Sequence, residues 1–158
     1  MKSSSAAFHK FFPRKIYLNK FNKIPDNILS LIPAAERSLH SHPKVLFAYL
    51  FGSLATGVRQ PSSDVDIAVY LEGHENFSET KLEILESLTD VLQTDEIDLV
   101  IFNTASLPLA MNILRKKRII VDKQPFTRHL VESLTKRKYF DFSIKESAIL
   151  RRRYMDGR

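Results

Sequence analysis

Gly52-Ser53, ten intervening residues and then Asp64-Val65-Asp66 form the spacing of strongest chemical content in this chain. The stretch VLFAYLFGSLATGVRQPSSDVDIAVYLE joins two apolar β-type runs through a polar turn. In a strand, residues i and i+2 point to the same face, so Asp64 and Asp66 project together. Like charges side by side on a β surface repel, and a divalent cation removes the repulsion. A hard cation such as Mg²⁺ prefers oxygen ligands and completes its shell with water and phosphate oxygens. Glycine in the turn lets backbone N–H groups approach a phosphate closely, and the Ser53 hydroxyl adds a donor. Together these groups suit metal-assisted transfer of a nucleotidyl group.

Sites of this kind often hold two metals and call for a third carboxylate. Asp98 is the candidate, since it opens the apolar run over residues 97–102. Beside the strand of Asp64 and Asp66, it can ligate a metal or accept the proton of an incoming hydroxyl. Either motif alone says little: an acidic pair caps many turns, and Gly-Ser is common. The joint spacing and its β context carry the reading. The five histidines show no metal-ligand spacing, and without cysteine there is no thiolate zinc site, disulfide or cysteine nucleophile.

The net charge of +6 is segregated. Residues 1–60 carry +7, residues 61–122 carry −7 and residues 123–158 carry +6. The acidic middle holds the candidate carboxylates. The basic flanks are either solvated faces or contacts for nucleotide phosphates, RNA or an acidic protein. No apolar run is long enough to span a membrane, and the basic N-terminus lacks the apolar core of a signal peptide. A cytoplasmic location is the expectation, with no membrane partner and no direct nucleic-acid binding.

With 158 residues, 44% of them apolar, one compact domain is expected. Its parts are a basic arm over residues 1–24, a core over 25–125 and a C-terminal helical extension over 126–158. Residues 26–41 read as helical, with Asp26 as N-cap and Pro33 starting a second short helix. Residues 44–51, 64–71 and 97–102 read as strands, and 118–121 as a short edge strand. Residues 77–93 form a helix capped by Ser78, with Leu82, Leu85, Leu88 and Leu92 facing the core. Residues 105–115 are helical. Residues 126–155 read as two helices broken near Asp141-Phe142, a capping box from Ser143 to Glu146 starting the second. Tyr139, Phe140 and Phe142 are expected to pack on the sheet. The fold class is α/β or α+β: a small mixed sheet of three to four strands with helices mainly on one face.

The pattern GSx₁₀DxD with a later strand carboxylate resembles the nucleotidyltransferase superfamily related to DNA polymerase β. The short length and the run EIDLVIFNTASLPLAMNILRKKRIIVDK are similar to its minimal members, in particular the antitoxins paired with HEPN-domain toxins. The resemblance implies the polymerase-β-like nucleotidyltransferase fold. It implies that Gly52 and Ser53 hold the triphosphate of ATP and that Asp64 and Asp66 bind one or two Mg²⁺ or Mn²⁺ ions. Asp98 would complete the metal site and activate the acceptor. In the antitoxin family the acceptor is a tyrosine hydroxyl of the HEPN ribonuclease, which is neutralised by AMP, and a hetero-oligomer with the toxin is implied. Two positions depart from the family. Thr56 precedes Gly57 where a basic residue is common, leaving Arg59 to compensate, and Lys117-Arg118 stands where Gly-Lys is common. Two other functions remain open: transfer to a small molecule, as in aminoglycoside-modifying relatives, and neutralisation by binding alone. The first usually needs a further substrate domain, and the complete acid trio argues against the second.

Overall fold

The structure is a computed structural model that describes residues 24–57, 64–73 and 77–155. Apart from Ile24, the expected basic arm lies outside these residues, as does Arg59. Four strands, β1 (Val45–Leu50), β2 (Val65–Leu71), β3 (Ile97–Ile101) and β4 (Arg118–Asp122), form one sheet in the order β3-β2-β1-β4. β1 runs antiparallel to β2 and β4, and β2 runs parallel to β3, so the sheet is mixed. The helices are α1 (Ile28–Ser41), the single turn α2 (Gly52–Ala55), α3 (Phe77–Leu92), α4 (Leu107–Arg115) and α5 (Pro125–Met155), with a 3₁₀ turn over Phe102–Thr104.

Alternation along β1 sends side chains to two apolar layers. Ala48 and Leu50 join Ile32, Ala35 and Leu39 of α1 and Ile84, Leu88 and Leu92 of α3. Phe47, Tyr49 and Phe51 join Phe102 and the α4 residues Ala110, Ile113 and Leu114, with Val131 of α5 packed against them. Helices expected mainly on one face therefore cover both. The runs of β1 and β2 are apolar on successive residues for that reason. Each buried Leu or Ile contributes about 1.5–3 kcal/mol relative to exposure.

Several local expectations are corrected. Pro33 lies inside a continuous α1 and starts no new helix, and Asn27 takes the N-cap position expected of Asp26. Proline removes the bond to the Leu29 carbonyl and its ring crowds that oxygen; Leu29 is half exposed, so the carbonyl can turn to water. Ile28, Ile32, Ala35 and Leu39 meanwhile keep one buried face through the proline. Ser78 lies within α3, and the buried stripe there is Thr80, Ile84, Leu88 and Leu92, with Leu82 in solvent. Gln93, at φ +54°, ends the helix.

α5 is one helix of 31 residues with no break at Asp141-Phe142. Ser143 donates its hydroxyl to the Phe140 carbonyl at 2.9 Å inside the helix and does not cap a new one. No glycine or proline interrupts residues 126–155. Phe140 and Phe142 are exposed and do not pack on the sheet. Tyr139 instead carries the Arg115 guanidinium 5.5 Å from its ring centre.

Candidate active site

Gly52 follows the last residues of β1, at the sheet end where β2, β3 and β4 begin. Its φ is +68°, in the left-handed region that glycine adopts without cost. A Cβ there would stand 2.9 Å from Asp66 Cγ and closer still to a carboxylate oxygen. The Phe51 N–H donates to the Asp66 carbonyl at 3.0 Å, so the Gly-Ser turn is fastened to the strand carrying the acid. Ser53 is half-buried in the single turn of α2, and its carbonyl accepts the Thr56 N–H at 3.2 Å and the Thr56 hydroxyl at 2.9 Å. Thr56, where a basic residue was expected by resemblance, thus braces this turn by local hydrogen bonding.

Asp66 and Asp98 are direct register partners across the parallel β2–β3 pair. Val65 and Ile67 flank Asp66 and face the α1/α3 layer, as do Ile97 and Leu99 around Asp98. Both carboxylates therefore project to the opposite face, where adjacent strands lie about 5 Å apart. Asp64 is exposed and immediately precedes β2. Burial, with the charges of Asp98 and Asp64 adding to it, pushes the Asp66 carboxyl up to about 6. The three acids are thus electrostatically coupled. Among the described residues no three carboxylate or imidazole groups form a ready metal cage. The donor set still fits a hard cation that takes one or two carboxylates and draws its other ligands from phosphate and water. A bound cation would offset both the burial of the Asp66 carboxylate and its repulsion by Asp98 and Asp64.

A second polar cluster lies on the same face and was missed in the sequence reading. The Tyr49 hydroxyl donates to Glu132 Oε1 at 2.8 Å, and Lys117 Nζ and Arg128 Nη1 converge on the same oxygen. Arg128 Nη2 reaches Asp122 at 2.9 Å, tying α5 to β4. Burial lowers the Lys117 ammonium and raises the Tyr49 phenol, which also donates to Glu132. For Glu132, burial alone would raise the carboxyl, but hydrogen bonds from Lys117, Tyr49 and Arg128 hold it below the usual range. The available signal was Glu132 itself, the one acid in an otherwise basic stretch over residues 123–140. Lys117, at a position where glycine is common by resemblance, belongs to this cluster.

Residues 35–126 match the family model described as "Polymerase beta, Nucleotidyltransferase". No curated protein matches the chain in sequence. A crystal structure of a toxin–antitoxin with AMP-PNP is similar at 26% identity and TM-score 0.62, over 77% of this chain and 94% of the other. A toxin–antitoxin MntA-HepT structure is similar at 24% identity and TM-score 0.59, over 77% and 95%. A complex of a tri-AMPylated HEPN toxin with MNT antitoxin from Shewanella oneidensis is similar at 23% identity and TM-score 0.60, over 77% and 94%. With more than half of its length matched by that family model, this chain belongs to the polymerase-β nucleotidyltransferase family.

Proposed function

We propose that this chain is an antitoxin acting as a protein adenylyltransferase, moving AMP from ATP to a hydroxyl, in particular a tyrosine, of a HEPN-domain ribonuclease toxin. The observation that carries the site is the in-register pair Asp66 and Asp98, with the Gly52 backbone against the Asp66 carboxylate. The adenylyl group and the toxin partner are supported by likeness to the toxin–antitoxin structure with AMP-PNP. We place the reaction in the cytoplasm, where ATP is available. No helix among the described residues is long and apolar enough to cross a membrane.

In this reading Gly52 and Ser53 hold the triphosphate through backbone N–H groups and the Ser53 hydroxyl. Asp64, Asp66 and Asp98 would hold Mg²⁺, which supplies charge neutralisation at the phosphates and at the leaving pyrophosphate. Asp98 orients the acceptor hydroxyl and takes its proton. The hydroxyl oxygen forms a bond to the α-phosphorus as the bond from that phosphorus to the bridging oxygen breaks, and pyrophosphate leaves in line. Positioning and electrostatics supply most of the rate enhancement.

The test uses ATP labelled at the α- or γ-phosphate, Mg²⁺ and the cognate toxin. α-Label retained on the toxin, with γ-label released as pyrophosphate, supports adenylyl transfer, and Asp64→Asn should abolish it. Neutralisation of the toxin by wild type and Asp64→Asn alike, with no label transferred, would leave a binding antitoxin only.

A further inference from the structure

A groove of about 470 Å³ runs along the outer edge of β3 in the described sheet, beginning at Asp98. Leu99, Val100 and Ile101 continue its floor, Phe77 and Lys81 of α3 form one wall, and Leu109 of α4 with Ser106 just before that helix forms the other. Among the described residues, only β2 pairs with β3. The Val65 N–H donates to the Glu96 carbonyl at 2.9 Å, which sets the parity of the ladder. In a parallel pair, the N–H and C=O of one residue point to the same neighbour and the next residue points away. Asp98 and Val100 therefore turn their backbone groups to β2, and Leu99 and Ile101 turn theirs to the groove. The Thr104 hydroxyl takes the Ile101 carbonyl at 3.4 Å. The N–H and C=O of Leu99 and the N–H of Ile101 remain facing the groove.

Open edges are usually blunted because they pair with other chains. This one is recessed between two helices, which bars a whole sheet but admits a single extended segment. We propose that the groove receives the acceptor protein as an added strand and so delivers its hydroxyl side chain to Asp98. The proposal rests on the adenylyl-transfer reading of the same site. Main-chain bonds to Leu99 and Ile101 give affinity, and alternate side chains give specificity.

Chemistry along the groove defines the segment further. Asp98 projects to the α4 face, whereas Lys81 stands on α3, which covers the other face. The hydroxyl and a group meeting Lys81 must then leave the guest strand on opposite sides, an odd number of residues apart. The ligand class is thus an extended peptide with an acidic residue an odd number of positions from the hydroxyl-bearing one.

The chain has no cysteine, so Leu109→Cys creates a single alkylation site on the groove wall. A bulky maleimide adduct there is expected to cut AMP transfer to the cognate toxin at least tenfold. Binding of a fluorescent ATP analogue should stay unchanged, and the same adduct on Arg37→Cys, an exposed α1 position, should leave transfer intact. Lys81→Glu should raise KM for the toxin with little change in kcat. With the toxin bound, amide exchange at Leu99 and Ile101 should slow. Full transfer by the Leu109→Cys adduct, with exchange at Leu99 and Ile101 unaltered, would overturn the groove and leave adenylyl transfer standing. Exchange slowed at Leu99 and Ile101 in a wild type that transfers no AMP would support the docking and sink the enzymatic reading.

Discussion

At position 52, backbone geometry and charge meet within one residue. The left-handed φ and the Asp66 carboxylate beside the missing Cβ both require glycine there. Gly52→Ala adds strain of about 1–3 kcal/mol and pushes the carboxylate aside, and a labelled-ATP assay should show AMP transfer reduced at least a hundredfold. Asp98→Asn keeps the shape of the side chain but loses the proton acceptor, so transfer should vanish while the melting temperature holds or rises. Asp66 gives a pH signature. Its unfolded carboxyl titrates near 3.8 and its folded one at about 6. Between those values the native state keeps a proton that the unfolded chain has released, so this group makes stability fall as pH rises from about 4 to 6. In chelator, Asp66→Asn should therefore melt higher than wild type at pH 7.5 and match it near pH 4. Mg²⁺ should raise the wild-type melting temperature more at pH 7.5 than at pH 5, where protons compete for the carboxylate.

Among the elements, the strands were legible to within a residue or so, because runs such as VLFAYL and VDIAVYL leave few alternatives to a buried strand. The same period of two put Asp66 on one face, and pairing of β2 with β3 brings Asp98 beside it. The errors arose where tertiary packing overrides a local signal. The buried stripe of α1 carries the helix through Pro33, and the serine expected to start a helix at 143 bonds back to Phe140. The contact between Gly52 and Asp66 and the convergence on Glu132 were hidden because their partners are distant in sequence. Glu132 joins three elements: Tyr49 of β1, Lys117 before β4 and Arg128 of α5. Removing one member of a buried charge cluster costs about 3–5 kcal/mol, since the others stay desolvated and unpaired. Glu132→Ala should show that loss in urea unfolding, and Tyr49→Phe a smaller one of about 1 kcal/mol.

Across the whole molecule, α5 is continuous in geometry but divided in energetics. Its 31 residues extend about 46 Å at ~1.5 Å per residue. Arg128, Glu132 and Thr135 are buried against the fold, and no described residue after Thr135 is. The basic groups of residues 136–138 and 151–153 are likewise in solvent. A helical segment without tertiary contacts is marginal in water, whereas one anchored by a buried cluster opens only with the domain. Amide exchange should therefore split α5 in two. Residues 128–136 should be protected almost to the global unfolding limit, and residues 145–153 should exchange orders of magnitude faster. Glu132→Ala should erase this boundary by freeing the anchored half, whereas removal of residues 140–158 should leave protection of residues 128–136 and the urea midpoint nearly unchanged. Equal protection along the whole helix of the isolated protein would mean that the distal half is held by contacts beyond those of the described residues.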